Sequence, residues 1–82
     1  MIIDIRKNED YLKGHIPGAI HIPYSSLIAH PEKYLDKSKS YQLYCNSGKT
    51  SLNLVLHLNQ KGYHCVNIEG GYTKYLFDSF YL

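Results

Sequence analysis

The sequence predicts an α/β fold: a mostly parallel central sheet of about four to five short strands, with helices on both faces. Three observations carry that expectation. Short β-branched and aromatic runs recur as MIIDI, YQLYC and HCVNI. Between them lie stretches with helical spacing, the longest being SLNLVLHLNQK. Glycines and prolines punctuate the joins.

Taken in order, MIIDI is a buried strand. Asn8 caps a short helix through EDYLK, which Gly14 ends as its C′ residue. Pro17-Gly18 turns the chain into a brief extended segment, Ala19 to Ile22. Ser25 and Ser26 precede Leu27 and Ile28, and after Pro31 come Tyr34 and Leu35, a pattern of broken helical structure. KSKS is a surface linker and YQLYC the next strand. Thr50 or Ser51 caps the helix SLNLVLHLNQK, whose Leu52, Leu54, Val55, Leu56 and Leu58 cover a wide arc suited to lying on a sheet. Gly62 stops it. HCVNI is a further strand, EGG a turn, and YTKYLFD the last helix. Residues 1–82 form one domain, without repeats or low-complexity tracts.

Composition narrows the function classes. The formal charge is +2 with dispersed lysines, which gives no footprint for nucleic acid or an anionic membrane. No apolar run approaches a membrane span, and MIIDIRKNED is too acidic for a leader, so the expected location is cytoplasmic. The two cysteines, Cys45 and Cys65, show no CxxC spacing and read as free thiols in a reducing compartment. Five histidines show no ligand spacing, so neither a metal nor another cofactor is expected. The nine tyrosines suggest no function by themselves.

The chemistry concentrates in YCNSGKTS, residues 44–51. GKT imitates the end of a P-loop, but the glycine needed five positions before Gly48 is Leu43, inside the strand, so the turn is too short to wrap a phosphate. The same letters suit a thiolate. Cys45 falls at the carboxyl end of a strand, where open α/β sheets place their sites. Asn46, Ser47, Gly48, Lys49 and Thr50 form a turn of small residues whose N–H groups can converge on an anion. A helix begins there, and Lys49 adds charge. Such surroundings lower a cysteine pKa from about 8.5 to roughly 3.5–7.5. The competing reading is a buried structural cysteine.

Three segments in order then resemble the rhodanese-like domain family of sulfurtransferases. IIDIRKNEDYLKGHIPGAIHIP resembles its opening pattern, YCNSGKTS its active loop, and GYHCVNIEGGYTKY its C-terminal Gly-Gly segment. The resemblance implies a three-layer rhodanese-like fold in which Cys45 takes a sulfane sulfur from a donor such as thiosulfate. Held as a persulfide, that sulfur passes to a thiol or cyanide acceptor. Asp4 and Arg6 would support the active-site region, Asp4 by accepting hydrogen bonds from the loop backbone, Arg6 by pairing with Glu9 or Asp10. His15 is structural, and Cys65 is packed core. The alternative is a binding or sensing module without turnover.

Two departures qualify the resemblance. Thr50 stands where many members carry an arginine, removing a bidentate grip on thiosulfate oxygens. The related phosphatases need an arginine six residues after the cysteine, and here that residue is Ser51. The family also places a strand and a helix before the Asp-x-Arg segment with which this chain begins. An uncovered sheet edge is therefore expected, to be closed by a second chain in a homodimer or by the apolar tail Leu76, Phe77, Phe80, Tyr81 and Leu82.

Overall fold

The computed structural model describes residues 1–81. The elements run β1 (Ile2–Asp4), α1 (Asn8–Lys13), β2 (Ile20–His21), α2 (Tyr24–Ala29), a 3₁₀ turn (Pro31–Lys33), β3 (Ser40–Tyr44), α3 (Lys49–Gln60), β4 (His64–Asn67) and α4 (Gly71–Tyr81). The four strands lie in the order β2-β1-β3-β4, all parallel. The α/β sheet anticipated from the sequence is therefore present.

Strand alternation gives the sheet two unlike faces. Ile3, Tyr41, Leu43 and Cys65 point to one, where Leu27 of α2 and Leu54, Val55 and Leu58 of α3 close the apolar core. Ile3, Leu27, Leu43 and Leu58 are fully buried there. Each such side chain contributes about 1.5–3 kcal/mol of burial. The other face carries Asp4 and Tyr44, adjacent in register and also fully buried. Beside them Arg6 and Tyr44 meet Tyr72 of α4, and Gly14, at the end of α1, lies against the Tyr72 hydroxyl. One face is greased and the other is wired.

Several boundaries differ from the sequence expectation. Asn8 is the first helical residue of α1, not its cap. The cap is Lys7, extended and without a side-chain capping bond. Neither Thr50 nor Ser51 caps α3, which opens two residues earlier behind Gly48. The final helix runs through Tyr81, three residues beyond YTKYLFD. Its Phe77 and Phe80 are 60% and 81% exposed, so they do not fold over a sheet edge as the tail was expected to. The Tyr81 side chain and Leu82 lie outside what is described.

β4 forms one edge of the sheet. The side chain of Asn59 reaches it, accepting from Cys65 N at 2.8 Å and donating to Cys65 O at 3.0 Å. A carboxamide thus occupies both hydrogen-bonding groups that a neighbouring strand would use at this residue.

Candidate active site

Cys45 follows β3 directly, and its side chain turns back toward the first turn of α3. Gly48 N donates to Sγ at 3.2 Å and Ser51 N at 3.4 Å, with Ser51 Oγ at 3.3 Å. The first N–H groups of a helix have no partner within it and must find one elsewhere. The cap residue of α3, Gly48, has no side chain to offer. Ser47 Oγ accepts from Lys49 N at 3.4 Å and the sulfur from Ser51 N, so the partners come from before the helix and not from Thr50 or Ser51. The turn needs Gly48 at φ +91°, a left-handed conformation that glycine adopts at no steric cost.

Burial alone would raise the Cys45 thiol. Hydrogen bonds from Ser51 Oγ and from the backbone of Ser51, Gly48 and Ser47 outweigh it, and its pKa falls below the ordinary value. Ser51 has one proton and three acceptors in reach: Sγ, Gly48 O at 3.3 Å, and Asn67 Oδ1 at 2.5 Å. Asn67 Nδ2 also donates to Gly48 O at 3.1 Å. β4 thereby fixes the hydroxyl that faces the sulfur.

The loop carbonyls are held from the opposite side. Tyr72 N donates to Cys45 O at 2.9 Å and Thr73 N to Asn46 O at 3.0 Å. Any side chain on Gly71 would collide with Cys45 O, and one on Gly48 would meet Gly70 N at 2.9 Å. Glycines therefore stand where two stretches of backbone touch.

Asp4 and Arg6 do not act as expected. Asp4 receives no loop N–H; it accepts from Arg6 N, Nε and NH2 and from Tyr44 Oη. Arg6 pairs with Asp4 at 2.7 Å, not with Glu9 or Asp10. The reason is burial: a buried guanidinium needs a buried counter-charge beside it. Arg6 donates further to Gly14 O at 2.7 Å and to Asn46 Oδ1 at 3.2 Å, and lies 4.2 Å from the Tyr72 ring centre. Burial works to raise the Asp4 carboxyl, but hydrogen bonds from Arg6 and Tyr44 prevail and lower it. Burial and the bond to Asp4 both push Tyr44 up. His15 stacks on Tyr11 at 3.9 Å with Nδ1 2.9 Å from Tyr11 O, a structural position.

An open hollow of about 390 Å³ lies beside the sulfur, lined by Cys45, Asn46, Ser47, Thr50, Arg6 and Lys7 among others. Lys49 is not among its lining residues. The lysine that lines the hollow is Lys7, not the expected Lys49. Ser51, Asn67, Tyr44, Tyr72 and the Gly70-Gly71 pair are site residues that sequence reasoning missed. A tyrosine next to the cysteine and a double glycine before a helix were the available signals. Among the described residues, no group of three His, Cys, Asp or Glu comes together as for a metal, and no helix is long and apolar enough to cross a membrane.

Residues 1–78 match the profile of the Rhodanese-like domain family. The chain belongs to that family. This rhodanese-like domain is 42% identical over 72 residues to YtwF of Bacillus subtilis, provisionally named a sulfurtransferase, covering 85% of the chain and 67% of that protein. It is 33% identical over 76 residues to GlpE of Coxiella burnetii, named a thiosulfate sulfurtransferase, covering 92% and 70%. A rhodanese-related protein from Thermoplasma volcanium superposes with a TM-score of 0.84 at 31% identity, over 94% and 76% of the two chains. The domain also spans only 14% of a tRNA sulfurtransferase of Desulfurococcus amylolyticus, at 36% identity. Three of these four relatives are named sulfurtransferases.

Proposed function

We propose that this rhodanese-like domain moves a sulfane sulfur through Cys45. The Cys45 thiolate attacks the outer sulfur of a donor such as thiosulfate, forming a new S–S bond while the donor's S–S bond breaks and sulfite leaves. The resulting persulfide is attacked at its outer sulfur by a thiol or cyanide, which restores the thiolate. The observation that carries this reading is the set of donors on Sγ from Gly48 and Ser51. They stabilise negative charge on sulfur before and after transfer without a separate base. Gly48, Asn46 and Ser47 shape the loop, and Thr50 lines its mouth. Asp4 and Arg6 act at a distance, holding Asn46 in place.

Intact mass after incubation with thiosulfate tests the proposal. Wild type gains about 32 Da, the gain is removed by cyanide, and Cys45→Ser shows none. Absence of the adduct on wild type would leave a binding module without turnover.

A further inference from the structure

Only a few charges face the hollow beside Cys45, and they are unusual for a site that takes an inorganic dianion. Arg6 is spent. Its guanidinium is engaged by Asp4, Gly14 O and Asn46 Oδ1, with its side chain 5% exposed. Thr50 supplies no charge, and Lys49 is absent from the lining. What remains is Lys7 and Asp10, both lining the hollow and neither in a close ion pair among the described residues, although the Asp10 charge also acts on Arg6 across the hollow. Lys7 is the extended cap residue of α1 and Asp10 lies in the first turn of that helix, and both border the hollow. A cation and an anion therefore flank the same opening, with the thiolate behind them.

Thiosulfate gains from Lys7 what it loses to Asp10. A donor with one charge of each sign satisfies both. We propose that the hollow takes a zwitterionic amino-acid persulfide, its carboxylate at Lys7 and its ammonium at Asp10, in preference to an inorganic sulfur anion. This rests on the Cys45 persulfide reading above. In the step, the Cys45 thiolate bonds to the donor's terminal sulfur, and the donor's own S–S bond breaks. The electron pair leaves on the amino-acid thiolate, which takes up the proton that the terminal sulfur carried. One S–S bond forms for one broken, so no oxidant or reductant is consumed.

The test compares persulfidation rates of Cys45, by quenched intact mass, with three donors: cysteine persulfide, N-acetylcysteine persulfide, which lacks the ammonium, and cysteamine persulfide, which lacks the carboxylate. Exposed charge pairs contribute little each, so wild type is expected to favour cysteine persulfide about threefold to fivefold over either control. Asp10→Asn is expected to abolish the preference against N-acetylcysteine persulfide and to raise the thiosulfate rate about twofold. Lys7→Met is expected to abolish the preference against cysteamine persulfide. Equal rates with all three donors on wild type, or preferences unchanged in both variants, overturn the proposal. A second measurement separates it from the persulfide reading: S-methylcysteine, which cannot donate sulfur, should slow iodoacetamide alkylation of Cys45 in wild type but not in Lys7→Met or Asp10→Asn. Protection without any persulfide would sink the sulfurtransferase reading and leave the ligand class standing. No protection, with persulfide still formed equally from every donor, would do the reverse.

Discussion

The two cysteines belong to neighbouring parallel strands, Cys45 just past the carboxyl end of β3 and Cys65 second in β4; both are buried, and both are free thiols. They nevertheless titrate in opposite directions. Cys65 meets only burial, which pushes its thiol up. Cys45 feels the same penalty, but N–H groups and a hydroxyl aimed at its sulfur bring it down. The lesson concerns where along a strand the thiol falls. Cys65 lies within its strand against the apolar core, whereas Cys45 stands where β3 has ended and a helix offers its unpaired donors. Burial creates the low dielectric; the direction of nearby dipoles decides whether that environment quiets a thiol or activates it.

The comparison is broken most completely at Cys45 itself. Cys45→Ser should reduce sulfur transfer to background while Cys65→Ser retains it, read by cyanide-dependent thiocyanate release. If both retain activity, the contrast has no functional content.

The next effect should come from the charged layer. Asp4→Ala leaves Arg6 buried without its counter-charge and is expected to cost about 3–5 kcal/mol in urea unfolding. Because Arg6 also holds Asn46, the reactivity of Cys45 should fall with it, while that of Cys65 should not fall. The Asp4 carboxyl is lowered by folding, so its contribution to stability is present above its unfolded pKa and is lost as pH falls through the folded value. A steepened acid limb in wild type, flattened in Asp4→Asn, would show it.

Smaller still is Ser51→Ala. Removing one hydrogen bond to an ionised group is expected to cost about 1.5–3 kcal/mol, moving the Cys45 pKa up by about one to two units. Iodoacetamide rates against pH would reveal the shift. An unchanged inflection would mean that the backbone donors suffice. The smallest effect is expected at Cys65. Its alkylation should inflect above the ordinary thiol range in wild type, and Cys65→Ala should cost about 1 kcal/mol. With its pKa raised by folding, Cys65 keeps its contribution below the unfolded pKa and loses it as pH rises through the folded value.

Alternating strand and helix patterns made the sheet legible, and the spacing after Cys45 located the loop. What remained hidden depends on pairs distant in sequence. Nothing in DIR announces that Asp4 will face Arg6 and Tyr44, because that triangle needs β1 and β3 in register. Ser51 resembles a helix cap in any window, and only the fold turns its hydroxyl between Cys45 and Asn67. Nine tyrosines looked like composition until Tyr44 was seen to link Asp4 with Ile16 N, and Tyr72 to cover Arg6. Lys49 misled because its neighbours in sequence are the loop, while its side chain does not line the hollow.

The backbone contact at Gly70 and Gly71 has a consequence for how the domain fails on heating. Cys45 and Asn46 are gripped by the first turn of α4 through Tyr72 N and Thr73 N. Segments that bury little apolar surface are among the first to open in a folded protein, and α4 leaves both Phe77 and Phe80 largely exposed. Loosening α4 would release the loop while α3 and the apolar core still hold. Heat inactivation should therefore precede the loss of ellipticity, and the interval between the two midpoints would report how firmly α4 is docked.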